Sequence, residues 1–501
     1  MELNELKKRF REYQAKMHAY EHATGLIYYD SVTTAPPGSS EQAGFTLGAL
    51  SEEIYKLVSS PELETMIAQL LERKKELDFI TLREAEELDE QLRKMRLIPM
   101  EEYVAYTMLL NEAQHVWHKA KASNDFAMFL PCLERVFETL KRFAGYYNPD
   151  KAPYDVWLNE FEKGLTQDIA DSYFNTIKAV LVPLIHRIAA EGRPIDDSFL
   201  NKDYPLDKQR ELSAYLMKVL TINPDFCAIG ETEHPFTTHF SKHDVRITTH
   251  YNTNMLGSNM YSVIHEGGHA LYELHTGDDL IGSVLANGTS MGVHESQSRF
   301  YENIIGRSLE FVEYIFPKLK ELFPEQLNNV TAHDFYLAVN KSVPSLIRTE
   351  ADELTYSLHV LIRYELEKQL MSGELAVKDL PEAWNRLYEE YLGVKVPDDA
   401  RGVLQDSHWS GGLVGYFPSY SIGSAYAAQM LDSLKKDVDV WDCVYKGELA
   451  PIVEWFTERI YRHGTAITPA EAIEKCCGKP FDPSYYTEYL VNKFSAIYGL
   501  N

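Results

Sequence analysis

From Leu6 to Leu140, apolar residues return every three or four positions with hardly a break. That period lines one face of an α-helix and fits no β-strand, so the first part of this chain folds as packed helices. Two interruptions carry turn chemistry. Tyr29 to Ser40 contains Pro36, Pro37 and Gly38 and reads as a loop, and a second loop falls near Tyr147 to Tyr154, rich in Asn, Asp and Pro. The helical period resumes from about Asp168 to Glu191. No repeat of fixed length is visible.

The texture changes near Pro224. Thr237 to Tyr251 is rich in Thr, Val, Ile, Phe and Tyr and alternates with a period near two, which predicts one or two strands of a small sheet. After Ser262 the pattern is helical again, with loops near Leu274 to Thr289 and Gly393 to Gly415. No stretch has the composition of a flexible linker. The expectation is therefore one domain over 1–501, with an N-terminal helical part (1–225) and a second part (226–501).

Composition closes off several classes. The net charge is −26, which leaves no basic face for nucleic acid and none for anionic membrane surfaces. The most apolar window, Ala179 to Ile188, is short, contains Pro183 and His186, and cannot span a bilayer. The N-terminal segment is charged and helical in period, unlike a signal peptide. The five cysteines are odd in number and show no CxxC spacing, so a reduced, cytoplasmic compartment is expected.

One segment carries chemistry: His265-Glu266-Gly267-Gly268-His269. On a helix, residues four apart share a face, so His265 and His269 can aim two imidazoles at one ion while Glu266 stands one step round. Zinc takes imidazole nitrogen and carboxylate oxygen and keeps one position for water, and a carboxylate beside it can act as general base. Glu295, in His294-Glu295-Ser296-Gln297, supplies a third ligand of the right type downstream. Glu273 and Asp278 compete for that place. Glu273, four past His269, suits an outer partner to an imidazole N–H better. Gly267 and Gly268 each cost about 1 kcal/mol in a helix relative to Ala, so something packs close there, either a substrate strand or a neighbouring helix.

These residues lie within a larger set. His234-Pro235-Phe236, Asp244-Val245-Arg246-Ile247-Thr248, the HEGGH segment, His294-Glu295-Ser296-Gln297, Ile347-Arg348-Thr349-Glu350-Ala351-Asp352 and Gly402-Val403-Leu404-Gln405-Asp406-Ser407-His408-Trp409 follow one another in order. In this the chain resembles the carboxypeptidase Taq family, whose wider relatives include neurolysin and angiotensin-converting enzyme. The resemblance implies a mainly α, multi-helix peptidase fold with a deep central cleft, a small β-sheet on the cleft wall, and a homodimer. It implies release of single residues from peptide C-termini with broad specificity, proline disfavoured. Two departures stand out. Tyr29-Asp30 replaces the usual Trp-Asp. Arg299 stands four past Glu295, where many of the wider relatives carry an Asp that orients the first His, so the outer partner of His265 is not assigned.

The remaining site residues follow from what such a reaction needs. A terminal carboxylate is read best by the planar fork of an arginine. Arg348 is the first candidate, placed on a helix with an ion pair to Asp352 as the alternative. Arg246 is the second, with a salt bridge to Asp244 or to another strand as its alternative. A developing oxyanion needs donors. In the wider relatives a His and a later Tyr serve, which points to His408 and Tyr416, with Tyr420 and Tyr426 as neighbours of Tyr416. His234, before a proline, is placed at the terminal subsite. The expected enzyme is a metallocarboxypeptidase with Zn2+ (or Co2+) on His265, His269 and Glu295, and Glu266 as base. Its partners would be peptides. One rival is an oligoendopeptidase or dipeptidyl carboxypeptidase with the same site. Another is a silent scaffold that keeps a metal for stability.

Overall fold

The computed structural model describes residues 2–500 of a mainly helical protein with one small sheet. The first helix, Leu3–Thr33, buries Leu6, Phe10, Gln14 and Met17, spaced four, four and three apart on one face. With helices Ser40–Val58, Pro61–Glu72 and Phe79–Leu97 it encloses a small core that runs from Leu6 to Leu92. A larger continuous core runs from Leu109 to Tyr498 and surrounds a central helix, Leu256–Leu274. The first helix continues past Tyr29 to Thr33, and the break comes where Pro36 and Pro37 have no N–H to give. The second expected loop is present, between helices Phe126–Tyr147 and Pro153–Phe161.

The sheet has three strands, β1 (Cys227–Glu231), β2 (Thr237–Ser241) and β3 (Asp244–Thr249), in the order β1-β3-β2. β2 and β3 pair antiparallel, with Thr238 opposite Arg246, and form the strand pair that Thr237 to Tyr251 announces. β1 runs parallel to β3, with Ile229 opposite Ile247. Only Cys227 of its five residues is buried, so no alternation marks it in the sequence. In β3, Val245 and Ile247 are fully buried and Asp244 and Arg246 occupy the more open face. The sheet packs on the central helix, where the Thr237 hydroxyl oxygen lies 3.0 Å from the Glu266 carbonyl oxygen.

The central helix is buried nearly all round, with Leu256, Met260, Val263, Ile264, Ala270 and Leu271 at 0% exposure. Its two mid-helix glycines admit neighbouring protein. A Cβ on Gly267 would lie 2.5 Å from Leu220 Cδ1, the end of a flexible side chain. A Cβ on Gly268 would lie 2.7 Å from both the Gln297 carbonyl oxygen and Ser298 Cα, which are main chain of the helix Met291–Arg299.

This contrast gives a test. Alanine gains about 1 kcal/mol over glycine in a helix interior, while overpacking a tight site costs about 1–3 kcal/mol. Gly267→Ala should leave the thermal midpoint within a few degrees of wild type, because Leu220 can move. Gly268→Ala should lower it clearly, because two backbones would have to part. Equal midpoints in a thermal melt would show that the helices do not touch at Gly268.

Candidate active site

His265 and His269 stand one turn apart on the central helix. Glu295 comes from the helix Met291–Arg299, whose first turn is fixed by the Ser290 hydroxyl accepting from Val293 N at 3.1 Å. The two helices touch at Gly268, and this brings one donor atom from each of the three residues within 4.8 Å of the others. Nε2 of His265 and of His269 lie 3.8 and 3.6 Å from Glu295 Oε2.

The surroundings fit a divalent cation. His265 Nδ1 lies 2.8 Å from Glu302 Oε2, and His269 Nδ1 lies 2.5 Å from His294 Nδ1, whose Nε2 lies 2.6 Å from Glu273 Oε1. Each candidate ligand imidazole thus has its Nδ1 engaged behind it and its Nε2 turned toward the Glu295 carboxylate, an arrangement that would fix the tautomer a metal needs. Burial alone would depress the His265 pKa, but Glu295 and Glu302 outweigh it and hold the pKa above its ordinary value. The carboxylates that favour a proton there favour a metal cation in its place. Burial depresses the His269 pKa to about 4, so this imidazole is a neutral donor. Burial would raise Glu295, but Arg299 and His265 hold it well below the usual carboxylate range.

Glu302 is the outer partner of His265 that sequence reasoning did not name. It sits seven residues past Glu295, inside a π-helical segment, Phe300–Ile305, that continues the ligand helix. Such segments recur at functional sites. Four past Glu295 stands Arg299, which instead donates from Nε to Glu295 Oε1 at 2.7 Å. The signal for Glu302 is its spacing, since residues seven apart on a helix share a face. Glu273 reaches His269 only through His294, a second residue the sequence reading passed over although it adjoins Glu295. Asp278 is bound to Lys242 at 2.7 Å and takes no part.

Glu266 is 6% exposed, and the Thr237 hydroxyl donates to its Oε2 at 2.6 Å. Burial raises its pKa, with His265 opposing. It opens on a cavity of about 440 Å³ whose lining includes all three candidate ligands, with Phe236 just before β2, Thr237 of β2, and Tyr416, Ser419 and Tyr420. Ser419 and Tyr420 lie in the first turn of helix Phe417–Asp437, which follows Tyr416 and is brought in by Gly423, where a Cβ would lie 2.9 Å from Glu295 Cβ.

The other sequence candidates fall in different places. Tyr416 and Tyr420 line the cavity, and the Tyr420 hydroxyl lies 3.3 Å from His408 Nε2. His408 stands behind them, with its ring 5.6 Å from that of Tyr416. Burial lowers its pKa to about 4 despite Asp406, and Arg348 and Arg363 add to the effect. Arg348 is not on a regular helix and does not pair with Asp352. It opens a short 3-10 turn, Arg348–Glu350, and Asp352 is instead the cap of the next helix, Glu353–Ser372, accepting from Leu354 N and Thr355 N at 3.0 and 3.1 Å. Arg348 binds Asp406 Oδ1 through Nε and Nη2 at 3.1 and 2.8 Å and gives Nη1 to the Tyr356 hydroxyl at 3.2 Å. It lies behind Tyr420, whose ring centroid is 5.0 Å from its guanidinium carbon. Arg246 is held by Asp244 at 2.9 and 3.1 Å, with its guanidinium carbon 5.1 and 5.2 Å from the ring centroids of Tyr29 and Phe240. His234 is exposed and outside the cavity lining, which its neighbours Pro235 and Phe236 join. Tyr426 is buried with its hydroxyl on Glu162 Oε1 at 3.2 Å.

Known proteins share both sequence and fold. The family model described as carboxypeptidase Taq (M32) metallopeptidase matches residues 9–494. Carboxypeptidase 1 of Bacillus subtilis is 40% identical over 100% of both chains. Thermostable carboxypeptidase 1 of Pyrococcus furiosus is 36% identical over 98% of this chain and 99% of its own. The crystal structure of an M32 carboxypeptidase from Deinococcus radiodurans superposes with a TM-score of 0.96 at 32% identity, covering 99% of this chain and 100% of the other. A likeness that runs end to end in sequence and in backbone, around a candidate metal site of two histidines and a glutamate, makes this chain a member of the carboxypeptidase Taq (M32) family, a metallocarboxypeptidase that hydrolyses peptides.

Proposed function

We propose that the enzyme removes single residues from peptide C-termini, with Zn2+ (or Co2+, which suits the same donors) on His265, His269 and Glu295, and with Glu266 as general base. The observation that carries this is the convergence of the three donor atoms within 4.8 Å beside a buried carboxylate that shares their cavity. When bound, a divalent ion supplies acidification of water, from a pKa of about 16 to about 7, and polarisation of the scissile carbonyl. Glu266 then does the proton work. Thr237 fixes one of its oxygens, leaving the other to take a proton from the attacking water and to return it to the departing amine nitrogen. A raised carboxyl pKa suits both halves of that task.

His408 and Tyr416 are proposed to steady the oxyanion, with Tyr420 bridging from His408 toward the cavity. Arg348 is proposed to read the terminal carboxylate. Arg348 and Arg363 share the single carboxylate of Asp406, which leaves positive potential behind Tyr420. Arg246 and His234 are given lesser places, since Arg246 is already paired with Asp244 and His234 is exposed. Broad specificity and a homodimer, which the resemblance implies, and a cytoplasmic setting, expected from five cysteines without CxxC spacing, are parts of the same proposal. No helix among the described residues is long and apolar enough to cross a membrane. One observation favours the oligoendopeptidase or dipeptidyl carboxypeptidase reading: Arg348 itself does not line the cavity.

Two experiments decide. Mass spectrometry of one peptide as free acid and as C-terminal amide, each with and without chelator, should show stepwise loss of single residues from the acid alone, stopped by chelation. Internal cleavage of both forms would keep the metal site and remove Arg348 from its role. In a second experiment, Glu266→Gln should reduce kcat at least about 10²-fold with metal content and thermal midpoint unchanged. Retained activity would take the base assignment away from Glu266.

A further inference from the structure

The proposed reading needs the metal ligands and Arg348 held a fixed distance apart, and two buried ionic clusters surround them. In the first, Arg299 donates from Nε to Glu295 Oε1 at 2.7 Å and from Nη1 to Glu302 Oε2 at 3.2 Å. One guanidinium thus grips a candidate metal ligand and the carboxylate behind His265. In the second, Asp406 is bound by Arg348 at 2.8 Å and by Arg363 at 2.5 Å.

Tyr356 touches both clusters. The guanidinium carbon of Arg299 lies 4.3 Å from the Tyr356 ring centroid, and the Tyr356 hydroxyl accepts from Arg348 Nη1 at 3.2 Å. The residue is 6% exposed, in the first turn of a helix whose start is fixed by Asp352. Its ring also meets that of Tyr420 edge-on, with centroids 6.4 Å apart. A planar ring has few rotamers to lose, and its two contacts differ in kind, a face for one cation and an oxygen for the other.

We infer that Tyr356 is a positioning residue that sets the separation between the metal ligands and Arg348, and so holds the cut one residue from the carboxyl end. This rests on the proposed role of Arg348. Phenylalanine keeps the ring under Arg299 and removes the acceptor for Arg348. Leucine removes both contacts.

The test compares wild type, Tyr356→Phe and Tyr356→Leu by two readouts: kcat and KM on one peptide as free acid and as amide, and the rate at which the metal-loaded enzyme loses its ion to excess chelator. Tyr356→Phe should raise KM for the free acid about tenfold, the loss of one hydrogen bond to a charged group, with kcat less affected and the chelation rate unchanged. Tyr356→Leu should show the KM defect and also lose metal several-fold faster. A Tyr356→Phe enzyme with wild-type KM overturns the inference, as does a pair of variants altered only in thermal midpoint. If Tyr356→Leu does not fold, the Tyr356→Phe result decides. Should wild type cleave acid and amide alike, the Arg348 reading falls and the inference with it. Should wild type discriminate while Tyr356→Phe matches it, only the inference falls.

Discussion

Everything at the centre of this protein depends on two backbones touching at Gly268. The histidines belong to one helix and Glu295 to another, and side chains of ordinary length bridge them only if the axes come closer than side-chain packing normally allows. A hydrogen in place of Cβ supplies that approach on the central helix, and Gly423 repeats the device against Glu295. The helix that carries Glu295 is thus met by a glycine from each of two other helices, by Gly268 at Gln297 and Ser298 and by Gly423 at Glu295 itself. Both glycines forgo about 1 kcal/mol of helix preference, so the approach matters more here than local stability.

Close approach creates an electrostatic problem that the surrounding residues solve. Glu295 and Glu302 are carboxylates withdrawn from water, and each would cost several kcal/mol if left alone. Arg299 bridges both, and Arg307 supplies the second positive charge, on Glu302 at 3.3 Å, so that two cations face two carboxylates. The pairs are arranged so that Arg299 Nε falls on Glu295 Oε1 while Oε2 is turned toward the imidazoles. Neutralisation therefore does not consume the oxygen that faces the site. Glu266 is treated differently: it has a hydroxyl partner and no arginine, so burial raises its pKa and leaves it able to exchange a proton.

The sequence was informative wherever the cause is local. Helix period fixes the N-terminal layers, the prolines fix where they break, and the four-residue spacing of His265 and His269 fixes a shared face. Where the cause is tertiary, it was silent or misleading. Glu302 serves His265 across 37 positions, and Asp406 serves Arg348 across 58, so no window around either residue reveals its partner. Arg348 looked helical with Asp352 four residues on, but capping the next helix satisfied the Asp352 carboxylate first. β1 lacks a pattern because it is held by β3 through main-chain pairing. Arg246 was legible in both senses: strand neighbours two apart share a face, which makes Asp244 its natural partner.

Net charge and local charge pull in opposite directions here, and distance decides between them. A chain carrying −26 repels the carboxylate of any approaching peptide. At physiological salt that repulsion fades over about 8 Å, so it bears on encounter more than on the docked state. Arg348 and Arg363 are buried, at 5% and 0% exposure, so screening around them is weak. They flank one aspartate, and the His408 pKa is held down to about 4, so that the residue adds no charge of its own. An incoming carboxylate would complete the pairing that Asp406 begins. Tyr420 stands between, touching the guanidinium with its ring and His408 with its hydroxyl, so the anion has to displace it or bind through it. A carboxylate can repay that displacement with the charge-assisted bonds an amide lacks, and on this reading the selectivity for a free C-terminus arises at Tyr420 as much as at Arg348.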